Sequence, residues 1–112
     1  MSEKTILFIN ACMRDAGASR TWRLAQAFLE AFRKQNPDIR IKERKVLDSA
    51  LPILTGTLAE KRDQTFRENP HDPMFDAAYE MAAADLVVIA APYWGLTFPA
   101  ALKVYLEWCS VL

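Results

Sequence analysis

The sequence is poor in the residues that build metal centres and disulfide frameworks. One histidine, His71, and two cysteines, Cys12 and Cys109, stand in 112 residues. That supply is too thin for a disulfide scaffold or a metal site. An excess of charge of one sign is also lacking. Lys and Arg number 14, Asp and Glu 14, so the formal net charge is zero. Bulk attraction to nucleic acid or to an anionic membrane is thereby excluded. No apolar run approaches the length that spans a bilayer, and no basic-then-apolar segment opens the chain. The expected compartment is the cytoplasm. Repeats, low-complexity tracts and linkers are absent, and 52% of residues are hydrophobic. Residues 1–112 therefore read as a single unit with enough apolar material for a core.

What is present is concentrated in two strand-to-helix junctions. Leu86 to Ala91 is a continuous apolar run without polar alternation. Such a run reads as a strand buried on both faces, as in a parallel sheet. Thr5 to Asn10 reads the same way. Between them, Ser19 is a good N-cap for a helix carrying Leu24, Phe28, Ala31 and Phe32 at helical spacing, with Ala25 and Leu29 widening the stripe. Asn36-Pro37 ends that helix. Ile39 to Lys42 alternates with period two and suits a partly exposed edge strand. Thr57 to Glu60 has capping-box spacing, opening a polar helix through about Arg67. Asp72-Pro73 restarts a helix whose apolar face holds Phe75, Ala78, Met81 and Ala82. A last helix opens near Pro99 and carries Ala101, Leu102, Tyr105, Leu106 and Cys109. The order is β-α-β-α-β-α, an open parallel α/β sheet with helices on both faces and right-handed crossovers.

Open α/β sheets place ligands at the carboxyl ends of their strands. The loop after the first strand, Cys12 to Thr21, leads into a helix N-terminus, where unpaired N–H groups and the helix dipole favour an anion. Ser19 and Thr21 add hydroxyls there, and Arg14 and Arg20 can neutralise a phosphate. The plainer alternative is that Ser19 only caps a helix and the arginines are solvated. The loop is not a GxxxxGK[ST] sequence, which disfavours ATP or GTP hydrolysis. Nor does a C-x5-R phosphatase loop fit, because that register holds Ala18; Cys12 reads as a loop-packing residue. The loop after the second apolar run, Pro92-Tyr93-Trp94-Gly95-Leu96, offers flat aromatic side chains and backbone N–H groups that could hold a planar ring. Its aromatic residues could equally be core or interface. Both loops would lie at one sheet edge. His71, among Pro, Asn and Asp, reads as a surface loop residue.

These residues resemble the flavodoxin-like FMN-dependent NAD(P)H oxidoreductases, the azoreductase and NAD(P)H:quinone reductase family. Asn10 to Arg14 followed by Ser19-Arg20-Thr21 is similar to that family's phosphate loop and its Ser-x-Ser/Thr pair. Ala90 to Lys103 is similar to its AP-x-Y-N-F-x-x-P-x-x-L-K stretch, with Tyr105 and Glu107 continuing the likeness, and Leu51-Pro52-Ile53 is a weaker match. The resemblance implies FMN, with its phosphate held by Arg14, Ser19, Arg20 and Thr21 and its ring against Pro92, Tyr93, Trp94, Gly95 and Leu96. It implies reduced nicotinamide, NAD(P)H, passing hydride to flavin N5, and a small-molecule quinone or azo acceptor reduced in turn. The flavin carries the chemistry, so no side chain is named as catalytic. The resemblance also implies a homodimer that would give Trp94, Phe98 and Trp108 partners.

Two departures from the family stand out. Trp94-Gly95 replaces its usual Asn-Phe. The chain also holds only strands 2-1-3 of the order 2-1-3-4-5, so strands four and five are expected to be absent. At roughly 30 residues per βα unit a five-stranded sheet wants about 150. Strand three is then an apolar open edge, inviting association with another chain. The competing expectation is a non-catalytic half-domain acting in assembly or weak flavin binding. A flavodoxin-type electron carrier fits less well, since those are acidic and this chain is neutral.

Overall fold

A computed structural model describes residues 4–12, 19–48, 51–92 and 99–111. Three strands, β1 (Thr5–Asn10), β2 (Arg40–Lys45) and β3 (Leu86–Ala90), form one parallel sheet in the order β2-β1-β3. The expected α/β architecture and strand order are therefore those observed. Four helices accompany the strands: α1 (Arg20–Gln35), α2 (Gly56–Glu68), α3 (Asp76–Ala83) and α4 (Ala100–Cys109).

The central strand explains the sheet. Ile6, Leu7, Phe8 and Ile9 are each no more than 1% exposed. Each such burial contributes about 1.5–3 kcal/mol relative to an exposed side chain. Period-two alternation divides them between two cores. Ile6 and Phe8 pack with Leu29 and the half-buried Trp22, Ala25 and Phe32 of α1. Leu7 and Ile9 pack with Ala77 of α3 and with Leu102 and Tyr105 of α4.

The outer strands differ from β1 in ways their sequences foreshadow. In β2, Arg40, Lys42, Glu43 and Lys45 are exposed, which is the polar edge expected, although the strand runs three residues beyond Lys42. β3 is not buried on both faces as its apolar run implies. Leu86 and Ile89 remain 41% and 45% exposed. The cause is position: β3 pairs with β1 on one side, and no described strand pairs with the other.

Helix boundaries follow their caps. Ser19 accepts a hydrogen bond from the Trp22 N–H at 3.0 Å and starts α1 as expected. The stripe facing the sheet is Trp22, Ala25, Leu29 and Phe32, however, whereas Leu24 and Phe28 lie 74% and 49% exposed. α1 thus carries two apolar stripes, and only one packs into the core against the sheet. α2 begins earlier than the Thr57 capping box suggests, because Thr55 accepts from the Leu58 N–H and caps the helix. Asp72 caps a short 3-10 turn over Pro73–Phe75 before α3. Phe75 is fully buried and meets Phe66 edge-on at 5.1 Å. Ala82, assigned to the apolar face by spacing, is exposed, while Ala77 is buried.

Trp108 corrects another expectation. It is buried, and its indole N–H donates to the Pro52 carbonyl at 2.8 Å. A second copy of the chain is not needed to give this side chain a partner. The Pro52 carbonyl of the same chain is instead its acceptor.

Candidate functional site

In a parallel sheet all strands end at one edge, and here β1 and β3 deliver both expected loops to it. Ala11 N–H donates to the Ala90 carbonyl at 2.9 Å, beyond the last register pair Asn10↔Ala90. Cys12 is buried, with Sγ 3.8 Å from the same carbonyl. Cys12 is therefore a packing residue at a loop root, as its sequence position implied. The roots of the two loops converge on one peptide oxygen.

At this edge the N-terminus of α1 supplies donors. Ser19 is 7% exposed and is the buried polar residue among those described. Its hydroxyl caps the Trp22 N–H, and its carbonyl accepts from Arg23 N–H at 3.2 Å. Helix geometry leaves the N–H groups of Arg20 and Thr21 without intrahelical acceptors. No acidic residue stands in the first turn, while Arg33 and Lys34 stand in the last, so side chains reinforce the dipole at the far end and leave its positive end unopposed. The Arg20 side chain is exposed and Thr21 is half-buried. Ser19, Arg20 and Thr21 are thus brought together. Pro92 follows β3 at the same edge, half-buried. Arg14, Tyr93, Trp94, Gly95 and Leu96 lie outside the described residues, as does Phe98.

Two networks near this edge join residues that the sequence did not connect. Asn10, at the end of β1, accepts from the Cys12 N–H through Oδ1 and donates through Nδ2 to Glu43 Oε2, each at 3.0 Å. On the opposite face, Arg44 pairs with Glu80 at 2.6 Å and lies 5.9 Å from the Tyr105 ring centroid. The bond to Glu80 holds the Arg44 guanidinium above its usual range, against the opposing effect of burial. Tyr105 is 1% exposed, and its hydroxyl has no hydrogen-bond partner of good geometry. Burial, with Cys109 nearby, pushes the Tyr105 phenol well above the ordinary range. Burial likewise pushes up the Cys109 thiol, with Tyr105 and Arg44 partly opposing it. Extending the alternation of β2 from Ile41 through Lys45 would have placed Glu43 and Arg44 on opposite faces.

Two clefts lined by described residues lie beside β2. One, of about 440 Å³, is lined by Glu43, Arg44, Lys45, Asp48 and Glu80. The other, of about 330 Å³, includes Lys42, Asp76, Tyr79 and Glu80. Walls of mixed charge do not suit a planar, largely apolar ring, so the loop edge is the better candidate. Among the described residues no cluster of His, Cys, Asp and Glu could hold a metal ion, and no helix is long and apolar enough to cross a membrane. His71 is exposed and stacks on Tyr79 at 5.6 Å.

The strand order, the capped α1 and the paired loop roots agree with a flavodoxin-like sequence profile that matches residues 4–111. The chain belongs to the flavodoxin-like fold family. It is 34% identical over 110 residues to an FMN-dependent NADH:quinone oxidoreductase of Clostridium perfringens strain SM101, covering 95% of this chain and 54% of that protein. An FMN-dependent NADH:quinone oxidoreductase 2 of Clostridium acetobutylicum is 33% identical over 106 residues, with 95% and 53% covered. An azoreductase from Bacillus anthracis strain Sterne superposes with a TM-score of 0.81 at 22% identity, over 96% of this chain and 55% of that one. A further B. anthracis structure, an FMN-dependent NADH-azoreductase in complex with FMN, gives 0.77 at 19% identity, with 97% and 57% covered. At those identities the solved structures speak to fold alone. The flavodoxin-like chain spans about half the length of the curated relatives it matches.

Proposed function

We propose that this chain binds FMN along the carboxyl edge of its sheet and takes part in the NAD(P)H-dependent reduction of a quinone or azo compound. The observation that carries this reading is the donor set at the start of α1. A buried serine hydroxyl, first-turn N–H groups, an exposed arginine and no first-turn carboxylate suit a phosphate ester. The names of the curated relatives supply the cofactor and the reaction class.

Ser19, Arg20 and Thr21, joined by Arg14, would hold the phosphate. Pro92, Tyr93, Trp94, Gly95 and Leu96 would border the ring. FMN, when bound, supplies the two-electron chemistry between reduced nicotinamide and the acceptor. The protein's share is to orient the ring, exclude water from it and present one face to each substrate in turn. No side chain is assigned as catalytic acid or base. The reading includes a cytoplasmic setting and a homodimer or higher association.

FMN fluorescence titration tests this, followed by anaerobic addition of NADH while the visible flavin absorbance is monitored. Saturable binding followed by bleaching supports the oxidoreductase. Binding without bleaching favours a second reading, a half-domain that acts in assembly or only binds flavin. That reading is favoured by the exposed Leu86, Ile89, Leu24 and Phe28 around β3 and α1. Absence of binding removes the oxidoreductase proposal for this chain.

A further inference from the structure

The first residues to leave β1 are held from two sides. Toward β3, the Ala11 N–H and Cys12 Sγ both reach the Ala90 carbonyl. Toward β2, the side chain of Asn10 makes a link, its amide spanning from the Cys12 N–H to Glu43 Oε2. Register explains the reach. Glu43 is the pair of Phe8, two residues before Asn10 on the same face, so Asn10 and Glu43 are diagonal neighbours beneath the face that α1 covers. The amide can be held only one way round. Its oxygen must face the N–H and its NH2 must face the carboxylate. Leu has no polar atom and an Asp carboxylate has no donor for Glu43, so neither reproduces both bonds.

We propose that Asn10 is a positioning residue for the anion loop. Bonded to Glu43 on one side and to the Cys12 N–H on the other, it fixes the direction in which the chain leaves β1 at the root of that loop. This rests on the FMN reading above and adds a residue that holds the root of its first loop. The pair acts through the backbone of residues 10–12 and does not touch the cofactor.

The test is FMN affinity of the full chain, read by fluorescence titration, with thermal midpoints measured in parallel. Asn10→Leu removes both bonds without adding charge and is expected to weaken FMN binding about tenfold, the scale of losing one charge-assisted hydrogen bond. Asn10→Asp places two carboxylates together and is expected to weaken it at least as much. Glu43→Gln in the Asn10→Asp background restores one donor and one acceptor with reversed polarity and with the wild-type net charge. It is expected to bring affinity back to within about threefold of wild type. Equal affinity in wild type and Asn10→Leu overturns the proposal, as does a loss in Asn10→Asp that Glu43→Gln leaves unrepaired. Should the Asn10 variants not fold, Glu43→Ala alone unties β2 while leaving the Cys12 acceptor in place, and unchanged FMN affinity in that variant overturns the proposal. Wild type that binds no FMN overturns both this inference and the reading beneath it. Wild type that binds while the variants bind equally well overturns this inference alone.

Discussion

Ser19 offers the cleanest separation of a structural role from a binding role, because one substitution preserves the first and abolishes the second. Its hydroxyl accepts from the Trp22 N–H at 3.0 Å, and the residue is buried. Ser19→Ala loses that cap, costing about 1 kcal/mol. At about 2.1 cal/mol/K per residue, unfolding a chain this long carries roughly 0.24 kcal/mol/K, so the midpoint falls by about 4 °C. Ser19→Asp keeps a cap of equal quality and adds a negative charge at a helix N-terminus, so stability holds within about 0.5 kcal/mol or rises. The same charge sits where a phosphate dianion would bind. At about 5 Å and an effective dielectric of about 20, each pair of unit charges repels by about 3 kcal/mol. Even heavily screened, that is a loss of affinity well beyond tenfold. Differential scanning fluorimetry and FMN titration of both variants are the assay. If Ser19→Asp keeps its midpoint and binds FMN like wild type, Ser19 is only a helix cap and the phosphate site is elsewhere.

Three other perturbations test the packing and the electrostatics. Phe75→Ala empties a fully buried ring position beside Phe66 and should cost about 3–5 kcal/mol, a large share of a domain's stability, with loss of the cooperative transition in urea. Tyr105→Phe deletes a buried hydroxyl that lacks a well-formed bond, so stability in urea should be unchanged or higher. Because Tyr105 and Cys109 both titrate higher when folded than unfolded, their contribution to stability is complete below the unfolded values and is lost as pH rises past about 8.5, first for the thiol and then for the phenol. Urea midpoints should fall between pH 8 and pH 10, and the fall should be smaller in a Tyr105→Phe, Cys109→Ser variant. Finally, Ile89→Lys places a charge at an exposed side chain of the edge strand β3 and should reduce concentration-dependent association in light scattering while leaving stability within about 0.5 kcal/mol of wild type.

The parts legible in the sequence are those set by local chemistry. Two apolar runs, the alternating Ile39 to Lys42, the Ser19 and Asp72 caps and the Pro99 helix start were enough for three parallel strands, while their order followed from the family resemblance. The misreadings share a cause, which is that neighbours decide exposure. β3 has the composition of a doubly covered strand but the position of an edge. Leu24 and Phe28 have helical spacing but point away from the sheet, because Trp22, Ala25, Leu29 and Phe32 meet it instead. Trp108 found its acceptor in Pro52, far away in sequence, where no periodicity could signal it. At the candidate site, Ser19, Arg20 and Thr21 were legible because a helix start has its own sequence grammar. Asn10 and Glu43 were not, since their meeting depends on the register between two strands.

The two rims of this sheet are chemically unlike. Along β2, Arg40, Lys42, Glu43 and Lys45 stand exposed, and a further strand laid there would meet a fence of charge. Along β3 the strand itself carries none: Leu86 to Ala90 offers apolar side chains, and no described strand pairs with its outer side. In the vocabulary of polymer chemistry the sheet has a valence of one. A unit with two receptive rims grows without limit into a fibre, whereas a unit with one is a chain stopper. Whatever strand meets β3, the charged rim of β2 ends the sheet on the other side.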